Sequence, residues 1–192
     1  MLAKMSKRQQ HQHQGVGLVE VMVALAILGV LLGVAWPNLA DMLARYRVEA
    51  VAAELRANLA YARSEAGLRS MELEFWFNRD LKQSCYTLSA AKGPGMDCVC
   101  TRPAGTACVS GPLVQLIESK TVQVSRMTGV ELKPQAGDRL KFVGAQMPPV
   151  PPNFSVLVQS SRVGQLQISM NPLGRISMCT PDQSMPGVSP CQ

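Results

Sequence analysis

The spacing of hydrophobic positions changes twice along the chain. Val16–Trp36 (VGLVEVMVALAILGVLLGVAW) is apolar around the whole circumference of a helix and carries one charge, Glu20. A helix rises about 1.5 Å per residue, so this stretch reaches roughly 30 Å, the thickness of a bilayer's hydrocarbon core. Beyond it the apolar residues recur three and four apart, at Val48, Val51, Ala52, Leu55, Leu59, Ala62 and Ala66. Arg45, Arg47, Glu49, Glu54, Arg56, Arg63, Glu65 and Arg69 mostly take the other faces. The pattern predicts one helix from about Leu18 to Ser70, embedded in lipid or a filament core in its first half and packed on its own domain in its second. Gly29 and Gly33 weaken it by about 1 kcal/mol each relative to Ala. Pro37 removes a donor and crowds the preceding turn, which by itself predicts a kink.

After Ser70 the period shortens to two. Met71–Asn78 and Ser84–Ser89 read as strands joined by a polar turn at Arg79–Gln83, and Thr121–Met127, Arg139–Val143, Phe154–Ser160, Gln165–Met170 and Arg175–Cys179 as further short strands. Residues 90–112, rich in Gly, Pro, Cys and Thr, read as a long excursion pinned by cysteines, and Met147–Asn153 as a stiff proline-rich connector. The expected class is α+β, one long N-terminal helix packed against antiparallel β-sheet. Three segments follow: 1–15, a polar leader; 16–37, a membrane-spanning or filament-core helix; and 38–192, one α+β domain.

Charge adds an orientation. The formal net charge is +6, but Lys4, Lys7 and Arg8 lie in the leader, leaving +3 without it, too little to argue for nucleic acid by itself. Those three cations favour a cytoplasmic N-terminus and a periplasmic domain, with Arg45 and Arg47 partly opposing them. Six cysteines suit that oxidising side. No signal-peptidase site follows the apolar run, so the helix is expected to stay in the mature protein. Both histidines lie in the HQHQ tract at 11–14. Without the leader the chain has none, which excludes Ser–His and Cys–His catalysis. Gly93-Pro94-Gly95 opens no helix and is no phosphate loop. The expectation is a protein with no enzymatic activity, no cofactor and no metal.

A basic leader ending in Gly15, then an apolar helix with a carboxylate five residues on, resembles the type IV prepilin class. The resemblance implies cleavage between Gly15 and Val16 by a prepilin peptidase and N-methylation of Val16, with Glu20 as fifth mature residue. Val16 stands where Phe or Met is more usual, and Gly17 where Thr or Ser is. A carboxylate among apolar side chains needs a partner of opposite charge. The resemblance supplies one, the methylated amine of Val16 on a neighbouring subunit. It also implies that Gly29–Pro37 loses helicity in an assembled filament. The competing reading is an ordinary single-pass anchor in the inner membrane that never polymerises.

Leu55, Leu59 and the run Ala62-Arg63-Ser64-Glu65-Ala66, together with Gly174-Arg175, resemble the GspH/FimT family of minor pilins and pseudopilins. The implied role is a structural subunit of a type IV pilus or a type II secretion pseudopilus, with other major and minor pilins as partners. Ala62 and Ala66 let a sheet approach closely. Arg63 and Glu65, two apart, do not face each other and need partners elsewhere. In DNA-uptake members a GRxR segment contacts DNA. Gly174 and Arg175 match it, and Ser177 replaces its second Arg. DNA is therefore the alternative partner, provided that Arg139, Lys141, Arg162 and Arg175 cluster on neighbouring strands. Cys85, Cys98, Cys100, Cys108, Cys179 and Cys191 allow fifteen pairings. Cys98 and Cys100 are too close for an easy mutual bond, and their spacing is not that of a zinc knuckle. By resemblance to many pilins, Cys179–Cys191 would close a C-terminal loop, worth about 3 kcal/mol in the chain-entropy model.

Overall fold

The computed structural model describes residues 17–92, 96–103, 105–110, 115–144 and 149–191. The leader and the Gly15–Val16 bond lie outside them. One helix, α1 (Leu18–Arg69), runs 52 residues, without interruption through Gly29, Gly33 and Pro37. It stops one residue before the expected Ser70, which takes a left-handed φ of 50°. The chain divides after Leu39 into two units. In the first, the helix is exposed on every side, and its most apolar eighteen-residue stretch has a mean hydropathy of 2.6 with none of it buried.

The second unit, Ala40–Gln192, is the folded domain. Among the described residues ten strands follow α1: β1 (Glu72–Arg79), β2 (Gln83–Lys92), β3 (Met96–Cys98), β4 (Cys108–Ser110), β5 (Gln115–Ser125), β6 (Val130–Pro134), β7 (Arg139–Val143), β8 (Phe154–Ser160), β9 (Gly164–Met170) and β10 (Ile176–Cys179). They form two four-stranded sheets, β5-β2-β1-β7 and β10-β9-β8-β6, and a small β3–β4 ribbon. Every strand pairing is antiparallel. The sheets meet where the Ser84 hydroxyl accepts the backbone N–H of Leu132 at 2.8 Å.

Ala44, Val48, Ala52, Leu55, Leu59, Ala62 and Ala66 are buried in one core with the inner faces of both sheets. The predicted stripe is thus the packed one, with Ala44 added and Val51 at its margin. Phe75, Phe77, Tyr86, Phe142 and Phe154 fill the middle, their ring centroids 5.5–6.3 Å apart in tilted, stacked and edge contacts. One polar group reaches in from the helix. Asn58 donates to the Tyr86 hydroxyl at 2.6 Å and accepts from Lys120 at 3.0 Å, so its amide is paired at both ends. Burial raises the Tyr86 phenol well above its ordinary value, outweighing the hydrogen bond from Asn58.

Strand boundaries shift from the pattern by one to three residues at β1, β2, β9 and β10, and three differences are larger. β5 starts at Gln115 and ends at Ser125, because its long ladder with β2 extends it backward. Arg126–Thr128 instead form a 3-10 turn, capped by the Ser125 hydroxyl and ended by Gly129 at φ 75°. β6 is an unexpected strand with two buried apolar positions, Val130 and Leu132. β3 and β4 give part of the cysteine-rich excursion regular structure.

That excursion lies on the outer face of the first sheet. Cys85 bonds Cys100, and Cys98 bonds Cys108. Gln123 donates to the carbonyls of Cys100 and Arg102 at 2.7 and 3.0 Å, and Asn78 accepts the Cys100 N–H at 3.1 Å. Trp76, Thr87, Ser89, Cys98, Cys100 and Ala107 are thereby buried outside the main core. The tail is fastened by Cys179–Cys191. It sets Met185, 1% exposed, into the main core.

Candidate functional site

Glu20 lies in the first turn of α1, where Gly17 accepts the backbone N–H groups of Glu20 and Val21 at 3.0 and 3.2 Å. Its carboxylate is exposed, as is every side chain from Leu18 to Trp36. Among these residues it is the sole charge. A helix with no polar side to turn to water needs another apolar environment around it.

The amphipathic half of α1 carries a second stripe that sequence spacing also encodes. Leu43, Tyr46, Ala50, Ala53, Ala57, Ala60, Ser64 and Gly67 alternate steps of three and four and are all exposed. Six of the eight are small, the composition that lets another helix come close. Alanine marks cores and surfaces alike, so composition alone does not set this stripe apart from the buried one.

Arg63 joins two motifs that are far apart in sequence. Its guanidinium donates from Nη1 to the carbonyl of Gly174 at 2.8 Å and from Nη2 to that of Leu173 at 3.2 Å. The turn it holds is built by Asn171, whose side chain accepts the Arg175 N–H and whose carbonyl accepts the Gly174 N–H, both at 2.8 Å. Gly174 has a φ of 72°, a conformation glycine adopts without strain. Arg63 therefore finds its partner inside its own domain. Glu65 finds one on its own helix, Arg69 at 2.6 Å. That contact is an ion pair without hydrogen-bond alignment, since Glu65 Oε2 is buried and otherwise unbonded. Ala62 and Ala66 are 0% and 1% exposed and allow the close approach expected of them.

The four basic candidates do not come together. Arg139 and Lys141 lie on β7, an edge strand of the first sheet, while Arg162 and Arg175 flank β9 in the second. Arg162 follows Ser160, which pairs with Gly164, and Arg175 precedes Ile176, which pairs with Met170. At about 3.3 Å per residue the length of β9 separates them by roughly 20 Å. Three are already engaged. Arg139 stacks on Trp76 at 3.7 Å and faces Asp97 at 4.0 Å. Lys141 bridges Glu72 at 2.6 Å and Glu74 at 3.5 Å, which raises its pKa, the hydrogen bond to Glu72 being the main cause. Arg162 is hydrogen-bonded to Asp41. The condition that their strands be neighbours fails, because the sheet order sends β7 and β10 to edges of different sheets.

All six cysteines are in disulfides, so none is left as a thiolate. Among the described residues no group of three His, Cys, Asp or Glu side chains is placed to hold a metal.

Residues 10–36 match the family described as the prokaryotic N-terminal methylation motif. No curated protein sequence matches the chain. Among solved structures, the type IV minor pilin FimU of Pseudomonas aeruginosa (strain PAO1) is similar in two crystal forms. One has 21% identity, covering 72% of this chain and 92% of FimU with a TM-score of 0.47. The other, also at 21% identity, covers 70% and 94% with a TM-score of 0.46. The chain thus carries a prokaryotic N-terminal methylation motif at the head of an apolar helix long enough to cross a membrane, followed by an α+β domain.

Proposed function

We propose that this chain is a minor pilin or pseudopilin, a structural subunit without catalytic activity. It is inserted in the inner membrane with its domain in the periplasm, cut between Gly15 and Val16 by a prepilin peptidase, and methylated on Val16. It then joins other pilins in a type IV pilus or a secretion pseudopilus. The observation that supports this reading is the exposed apolar stretch whose single charge, Glu20, lies within the matched methylation motif. In a bundle of such helices the carboxylate pairs with the new amine of an adjacent subunit and sets its axial position. The exposed, small-residue stripe from Leu43 to Gly67 offers a contact face on the domain's part of the helix.

Mass spectrometry of the protein from its native membrane tests the processing step. Methylated Val16 at the N-terminus is the expected result, and an intact leader on working protein refutes the reading. Glu20→Ala separates a filament subunit from a monomeric anchor. Assembly is lost in the first case and nothing changes in the second.

A further inference from the structure

One end of the domain carries two large apolar side chains that nothing covers. Leu81, at the tip of the β1–β2 turn, is 90% exposed, and Met127, in the 3-10 turn, is 98% exposed. These turns are neighbours, since the Arg126 N–H donates to the carbonyl of Lys82 at 2.9 Å. Both sit at the start of the domain's own stretch of helix. Arg47 donates to the carbonyl of Thr128 at 3.5 Å, and six residues earlier Asp41 binds Arg162 in the β8–β9 hairpin. Asp41 follows Trp36 by five residues, so the chain cannot carry it more than about 18 Å from the end of the apolar stretch.

The charges at this end leave a small positive excess. Arg45, Arg47, Arg79, Lys82, Arg102, Arg126 and Arg162 lie in its segments with Asp41, Glu49, Asp80, Glu131 and Asp182. Arg126 is paired with Glu131 at 2.8 Å, Arg162 with Asp41, and Asp80 accepts the N–H groups of Lys82 and Gln83. Attraction through this excess would weaken in salt, whereas apolar contact would not. What remains is a pair of exposed apolar tips, each beside a long cation whose stem can lie along an interface.

We propose that this end of the domain rests on the lipid surface of the membrane its own helix spans, with Leu81 and Met127 as apolar anchors, before the subunit is drawn into a filament. The proposal rests on the membrane-span reading of residues 16–37. The partner is a bilayer interface of any headgroup charge, held by apolar contact.

The test uses the full chain in phosphatidylcholine vesicles whose acyl chains are brominated near the headgroup. Leu81→Trp, Met127→Trp and Leu173→Trp are each made with Trp36→Phe. All three sites are exposed, so folding is preserved, and buried Trp76 gives the same background throughout. Leu173 is the reference because Arg63, twenty-two residues beyond Asp41, holds it at the far end of the helix. Quenching at 81 and 127 at least threefold greater than at 173, and unchanged by 0.5 M salt on the order of a 4 Å screening length, supports the proposal. Equal quenching at the three sites, or loss in salt, overturns it. Trp36 in the unsubstituted chain reports separately on the span: if bromine leaves it unquenched, the underlying reading fails instead.

Discussion

Replacing Arg63 with Ala removes two hydrogen bonds from a charged donor. The one to Gly174, at 2.8 Å, is partly buried, and the one to Leu173, at 3.2 Å, is exposed. A hydrogen bond involving a charged group contributes about 1.5–3 kcal/mol when shielded and well under that in water. The expected loss is therefore about 2 kcal/mol, nearly all from the Gly174 contact. For a domain of this size that lowers Tm by about 4–8 °C. The turn itself should survive, because the Asn171 bonds that shape it do not involve Arg63. Thermal denaturation followed by circular dichroism gives the global loss, and amide exchange separates docking from turn formation. The Gly174 and Arg175 amides should keep their protection relative to the domain as a whole. Arg63→Lys, with one compact ammonium in place of a planar fork, should recover about half of the lost stability. A change below about 0.5 kcal/mol for Arg63→Ala would falsify the assignment of this residue to the domain's own architecture. It would return Arg63 to the role of a contact for another subunit.

Three other outcomes follow from the same structure. Gly164 has a φ of 110°, and a Cβ there would sit 1.8 Å from the Ser184 hydroxyl, so Gly164→Ala should cost upward of about 2 kcal/mol; chemical denaturation measures this, and Ser184→Gly should relieve only the clash. Burial raises the Tyr86 pKa, so the unfolded chain ionises first, near pH 10. The stability held through this phenol is whole below that pH and is lost as pH rises past it, a loss that Tyr86→Phe should abolish in urea titrations from pH 9 to 11. Changing Cys179 and Cys191 together to Ser opens a loop with a sequence separation of 12 and should cost about 3 kcal/mol. Tail amides that stay protected would show that Met185 inserts independently of the bond, and free exchange without loss of the sheets that it does not.

How much was legible depended on how local the determinant was. Leu55 and Leu59 announce a buried helix face because period and burial coincide, and Phe154–Ser160 announces a strand because every second residue is buried. β6 has only Val130 and Leu132 to show, and it ends in Pro134, so its place between β8 and the first sheet comes from long-range pairing. The partner of Arg63 lies 111 residues away, and spacing along one helix says only that it is not Glu65. The basic residues failed as a cluster for the same reason. Each looks free in sequence, and only the sheet order assigns Trp76 to Arg139 and Glu72 to Lys141.

The interleaving of Cys85–Cys100 with Cys98–Cys108 bears on how the protein matures. If the domain is exported, as proposed above, the polypeptide presents Cys85 first, then Cys98, and only afterwards their proper mates. Oxidation in order of arrival would join the wrong pair. Those early crosslinks must be undone by thiolate attack before the outer flap can close. A host lacking a disulfide reshuffling enzyme should accumulate this protein in scrambled form.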